Sequence, residues 1–166
     1  MRYVVMAMIM VLTCLHLNTA HAVAPYMRET LRGLPGVGLT IENIDSDSRA
    51  DGRSIEKIRT IVEFILRSGG IRVLPESEIA MMPASPYLSV NVNILSQGLV
   101  YAFNVDIQLT QQVSLVNLPQ YTFFAATWDT SSVGMVGKDN LRDIIGNEIE
   151  PKVKAFVKDF LAVNPR

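Results

Sequence analysis

The sequence predicts an α/β domain, a two-layer sandwich in which a five-stranded mixed sheet carries two helices on one face. Three observations lead to this fold class. Residues 37–74 read as strand, helix and strand; residues 88–115 alternate apolar and polar side chains; and residues 139–163 carry a helical apolar stripe. Because each of these patterns leaves one apolar face, strands and helices are expected to cover each other.

The first unit consists of two short strands joined by a helix. Residues 37–44 alternate in character and predict the first strand, after a loose lead-in over residues 23–36. Residues 71–74 predict the second strand. A right-handed crossover makes two such strands parallel. Three prolines in residues 75–86 then predict a connector with about one helical turn.

The helix of this unit is marked by apolar residues at helical spacing. Ser54 precedes it and suits the N-cap position, because its hydroxyl can accept from an amide of the first turn. Glu63 and Arg67 form a favourable i,i+4 pair, and Gly69 with Gly70 ends the helix. The apolar stripe consists of Ile55, Ile58, Ile61, Val62, Ile65 and Leu66.

A β-hairpin is predicted over residues 88–115. Its two apolar rows share one face if, for example, Val90 lies opposite Val105, which places the turn at Gln97–Gly98. The second strand is expected to outlast the first. Its unpaired portion, residues 109–116, could then accept a strand from a partner.

The last sheet strand is predicted at residues 121–128, after a turn at 117–120, and Gly134 with Gly137 indicates a loop. The side chains expected on the core side of this strand are Phe124, Ala126 and Trp128. The chain should then end in a helix that reaches Val163.

That final helix is expected to start at Asp139 or Asn140. Pro151 lacks the amide hydrogen that an uninterrupted helix would use, so a kink or break is predicted near Asn147.

Residues 1–22 are predicted to be a cleaved signal peptide, which leaves residues 23–166 as a single domain. Arg2 precedes an almost wholly apolar run, and Ala20 and Ala22 suit the −3 and −1 positions of a cleavage site. The expected location is therefore periplasmic or extracellular. Two alternatives remain open: lipoprotein processing at Cys14 and an uncleaved anchor.

Cleavage would remove Cys14, His16 and His21, which are the only cysteine and histidines of the chain. The exported domain would then lack the residues of much common catalytic and metal chemistry, and no disulfide, metal or cofactor is predicted. Losing Arg2 leaves 14 basic against 16 acidic residues. That balance does not favour nucleic acid. Membrane insertion after cleavage is not expected either.

A neutral polar strand face is the candidate interaction site. No Lys or Arg occurs between Arg72 and Lys138. Amide and hydroxyl side chains can bond a partner without stripping water from charges, whereas the alternative is an ordinary solvated face. The residues expected to point the same way are Asn91, Asn93, Asn104, Asp106, Gln108, Thr110 and Gln112.

Three functions follow, in order of preference. The first is a non-enzymatic binding or assembly module whose partner is an envelope protein. The second is a small-ligand or glycan-binding domain, with a cavity lined by Phe103, Phe156 and Phe160. The third is a hydrolase that works without His or Cys, for which the candidate residues are Ser54, Asp106 and Asp129. The last two lie on different predicted strands, and nothing in the sequence sets their separation.

Three stretches resemble a group of small, uncharacterised exported bacterial proteins: residues 31–44 (LRGLPGVGLTIENI), 91–116 (NVNILSQGLVYAFNVDIQLTQQVSLV) and 126–137 (ATWDTSSVGMVG). More distantly, the order of elements is similar to the α/β domains at the amino end of TolB and in CsgG-like envelope proteins. This resemblance implies envelope assembly or partner binding rather than catalysis, and it carries no functional residues across.

Overall fold

The chain adopts a mixed α/β fold, seen in a computed structural model that describes residues 24–42, 55–137 and 145–165. The predicted signal peptide and the Ser54 cap lie outside these residues. The elements in chain order are α1 (Pro25–Glu29), β1 (Gly38–Ile41), α2 (Ile55–Ser68), α3 (Glu76–Ile79), β2 (Tyr87–Gln97), β3 (Val100–Leu115), β4 (Leu118–Gly137), a π-helical turn (Ile145–Ile149) and α4 (Glu150–Val163). The lead-in expected as loose chain thus contains the short helix α1.

The four strands lie in the order β1-β2-β3-β4, with β1 parallel to β2 and the other pairs antiparallel. Val90 lies opposite Ile107, not opposite Val105 as predicted. The last pair, Gln97 with Val100, closes a two-residue turn at Gly98–Leu99. Gly98 has the positive φ of 64° that such turns favour at their first position. This register differs from the prediction by two residues, so every side chain keeps its predicted face.

The second of the five predicted strands, residues 71–74, does not form, and the described part of the chain contains a four-stranded sheet. Only one parallel bridge forms in residues 71–74, between Val37 and Val73. Val37 donates its N–H to Arg72 (3.0 Å), and Leu74 donates to Val37 (2.9 Å). The ladder stops because its next donor would be the N–H of Glu76, where α3 begins, and the carbonyl of Leu39 accepts from Arg59 instead.

β4 runs for 20 residues and passes through Gly134 and Gly137, where a loop was expected. Gly134 lies opposite Phe103, and the ring of Phe103 occupies the space beside it. Covering by an aromatic ring allows a glycine to remain inside a strand.

A β-bulge at Thr127 changes which residues of β4 face the core. Leu109 pairs with Trp128 and Thr110 pairs with Ala126, so Thr127 is the extra residue. Trp128 is fully buried as predicted, whereas Phe124 is 63% exposed. The core-side prediction for Phe124 and Ala126 is therefore wrong.

One hydrophobic cluster joins the helices to the sheet. α2 contributes Ile58, Val62 and Leu66, and α4 contributes among others Phe156 and Phe160. Near Asn147, where a kink or break was predicted, the helix instead contains a π-helical turn, Ile145–Ile149, that runs directly into α4 at Glu150. The strand residues of the cluster are Leu39, Ile41, Leu88, Val90, Val92, Ile94, Val105, Ile107, Leu109 and Trp128.

Candidate interaction surface

The sheet register brings the seven predicted polar residues onto one side of the sheet, the outer face. In β2 and β3, Asn91 lies opposite Asp106 and Asn93 lies opposite Asn104. None of the seven is buried. Gln112 stands apart from the others: it lies beyond the end of β2 and donates to the hydroxyl of Thr122 in β4 (3.0 Å).

Carboxylates gather at the centre of the outer face. Burial raises the pKa of Asp106, and the negative charges of Asp129 and Glu42 raise it further. Asp129 lies opposite Gln108, one diagonal step from Asp106. The Gln108 amide donates to Oδ2 of Asp106 at 3.1 Å. The centre of the face is therefore acidic rather than neutral, although its neighbours are amides and hydroxyls.

A shallow groove of 500 Å³ crosses the outer face where Asn93 faces Asn104. Its apolar wall includes Leu95 and Val133, which are 63% and 79% exposed. Met135, 73% exposed, extends the same apolar patch on β4. The groove thus combines amide donors and acceptors with open apolar side chains, a combination typical of binding surfaces.

Sequence reasoning missed this apolar patch. Leu95 could have been found, since the alternation of β2 continues through it and places it in the polar row. Val133 and Met135 could not, because a loop was predicted where β4 continues.

A second groove, of 920 Å³, follows the free edge of β1 and meets the outer face at Thr40 and Ser89. Its basic side chains come from α2. Arg59 donates to the backbone carbonyl of Leu39 at 3.1 Å and lies 3.9 Å from Glu63; Arg67 lies 3.5 Å from Glu63. Because the groove is also lined by Glu42, Glu63 and Glu76, its carboxylates outnumber these two arginines, which do not cancel the acidity of the outer face.

The hydrolase candidates are placed as follows. Ser54 lies outside the described residues. Asp106 and Asp129 come close enough to interact, but neither lines the 500 Å³ or the 920 Å³ groove. Among the residues that the structure describes, no three His, Cys, Asp or Glu side chains gather as a metal site would require.

The three aromatic residues proposed to line a ligand cavity lie in contact with other side chains, although Phe103 is only partly buried and also lines the 500 Å³ groove. Phe156 is fully buried and meets Trp128 edge-on at a centroid distance of 5.0 Å. Phe160 lies 6.1 Å from Phe156, and Phe103 lies over Gly134. Their rings fill the space that a ligand would need.

Comparison with known proteins assigns neither a family nor a function to this chain. No helix within the described ranges is both long and apolar enough to cross a membrane. The chain matches no protein-family model and no curated protein.

Proposed function

We propose that this chain is a non-enzymatic binding module of the cell envelope, exported to the periplasm or beyond, that docks a protein partner on its outer face. The observation that carries this proposal is the composition of that face. Carboxylates and amides occupy its centre, an apolar groove lies beside them, and no Lys or Arg occurs from residue 73 to residue 137.

The partner should present basic and apolar side chains. Three carboxylates set the sign of the field over the centre of the face, and a complementary surface is attracted whereas an acidic one is repelled. An apolar side chain of the partner would enter the groove between Leu95 and Val133. The amides of Asn93 and Asn104 would bond its backbone.

We further propose that helices and sheet form two layers, with the outer face as the uncovered side. This arrangement is supported by the shared cluster of α2, α4 and one row of each strand. It leaves the opposite row of each strand free to bind.

The test is site-specific photocrosslinking in living cells. A photoreactive residue at position 91, on the outer face opposite Asp106, should capture one protein with a basic surface, whereas the same residue at the exposed Thr60 of α2 should not. The combined substitutions Asn93→Lys, Asn104→Lys and Gln108→Lys should reduce capture about ten-fold or more, because like charges across an interface cost several kcal/mol.

Two matched variants give the controls. Thr60→Lys with Ser68→Lys adds positive charge on α2 and should leave capture unchanged. Asn93→Asp with Asn104→Asp should preserve or increase capture, since it deepens the acidity of the face. Capture that survives the three lysines, or that falls with the aspartates, would contradict the proposal.

A further inference from the structure

Beyond the outer face, β3 and β4 continue as a two-stranded projection, residues 111–126, which we name the arm. Pairing between β2 and β3 ends where Tyr87 meets Thr110. Pairing between β3 and β4 continues to Leu115 and Leu118. The five further residues of β3 carry the arm roughly 16 Å past the end of β2.

The arm exposes a large apolar surface. Its exposed apolar side chains are Leu115 (46%), Val116 (100%), Leu118 (41%), Tyr121 (57%), Phe123 (47%) and Phe124 (63%). Phe124 lies opposite Gln112, on the other side of the arm from Phe123, and Tyr121 shares the side of Phe123 by alternation. Aromatic side chains bury roughly 150–250 Å² each when covered, so these two rings offer roughly 150–250 Å², to which the aliphatic side chains add. Exposed apolar patches that reach a few hundred Å² are often functional.

The two sides of the arm differ in polarity. Val113 lies opposite Phe123 and Gln111 opposite Ala125, on the side that continues from buried Leu109. On the other side, Ser114 lies opposite Thr122 and Gln112 opposite Phe124, so that side is polar except for one exposed ring. Alternation of this kind is the pattern of a strand pair with one covered face. The described helices do not provide the cover, because Phe123 remains half exposed.

The arm also carries no charge. Residues 107–128 contain no Asp, Glu, Lys or Arg. A charged patch would repel its own copy, and a charged partner would gain nothing from this surface. A neutral apolar surface can meet an identical one about a two-fold axis, where the same residues are buried on both sides.

We infer that the arm is a homodimerisation element, and that its apolar side, centred on Leu115 and Phe123, packs against the arm of a second copy. The rings of Tyr121 and Phe123 supply up to about a third of the ~800 Å² that each partner buries in a standard interface. Leu115, Val116 and Leu118 add to this area. The outer face is not used, so this inference stands or falls independently of the proposed function.

Sedimentation of the full chain tests the inference. The wild-type protein should sediment with twice the mass of a single chain, and Leu115→Thr with Phe123→Thr should raise the dissociation constant about ten-fold or more. Threonine keeps the strand propensity of an exposed position, and an unchanged circular dichroism spectrum would show that the variant folds. Phe64→Gln, which removes a ring from α2 that is more exposed (70%) than Phe123 (47%), should leave the mass unchanged.

Cysteine crosslinking gives a second measurement. In a Cys14→Ser background, Val116→Cys should crosslink two chains through a bismaleimide, whereas Leu99→Cys at the opposite end of β3 should not. A single-chain mass for the wild type, equal crosslinking at both sites, or a dimer indifferent to the arm variant would overturn the inference. Binding of a single chain to phosphatidylcholine vesicles through the arm would also overturn it.

Discussion

The indole N–H of Trp128 donates to Oδ2 of Asp159 at 3.1 Å in the interior of the protein. The other carboxylate oxygen accepts from the guanidinium of Arg28 at 2.9 Å. Asp159 is only 5% exposed. One buried carboxylate therefore joins the central tryptophan of β4 to α4 and to α1.

Asp159→Leu should be among the most destabilising single changes in the domain. It leaves the buried Trp128 N–H without an acceptor, which costs about 1–3 kcal/mol, and it removes the partner of Arg28. Asp159→Asn keeps an acceptor for the indole and should cost less. Urea unfolding measures both. Glu150→Ala breaks the exposed ion pair with Lys154 and should cost under about 1 kcal/mol. An equal loss for Asp159→Leu and Glu150→Ala would refute this assignment.

Asp106→Asn should stabilise the protein at neutral pH. The pKa of Asp106 is raised above its ordinary value of 3.8, so the folded chain binds more protons than the unfolded chain just above that pH. Stability is therefore lost as the pH rises through this window. The gain from Asp106→Asn should be under about 1 kcal/mol after solvent screening, and should vanish below pH 3.8.

Thermal unfolding at several pH values measures this gain. Asp129→Asn is the companion variant, because it removes one of the charges that raise the pKa of Asp106. NMR titration of Asp106 should then show a lower pKa. A pKa unmoved by that change would mean that Asp129 does not act on Asp106.

Ser132→Ala should weaken the contact between β4 and the π-helical turn. Burial opposes ionisation of Glu148, but hydrogen bonds from Ser132 (2.6 Å) and Lys152 (3.0 Å) outweigh it and lower the pKa of Glu148 below 4.5. This stabilisation is present above pH 4.5 and is lost as the pH falls through the lowered pKa.

The expected cost of Ser132→Ala at neutral pH is about 1 kcal/mol, and it should shrink in acid. Ser131→Ala changes the adjacent residue, which is exposed, and should be nearly neutral. The Glu148 pKa, followed by NMR, should rise in the first variant only. A rise in both variants would show that the effect does not come from the Ser132 hydroxyl.

Helices and strands that are marked by the spacing of their own apolar residues were predictable from the sequence. Helical spacing in residues 55–66 and alternation in residues 88–109 each depend on one buried face, and the structure confirms both. The irregular helical turn before Pro151 follows from a missing N–H, and an irregularity at this place was also predictable.

Features that depend on distant partners were not predictable. Gly134 stays in a strand because of the ring of Phe103, about thirty residues earlier. Residues 71–74 form a single bridge instead of a strand, because they meet only Val37, a residue more than thirty positions earlier in the chain. In the candidate site, the seven polar residues share a side as predicted, but the acidic centre needs Glu42, the residue that follows β1.

The bulge at Thr127 reverses which residues of β4 face the inner side of the sheet. Even-numbered residues of β4 face inward after it, and odd-numbered residues do so before it. Deleting Thr127 would restore a single parity and direct Phe124 towards the side that Phe123 now occupies. Because of this one extra residue, even-numbered positions of β4 meet the core in the domain, whereas odd-numbered positions form the apolar side of the arm. The sequence pattern of each part can therefore change without altering the other.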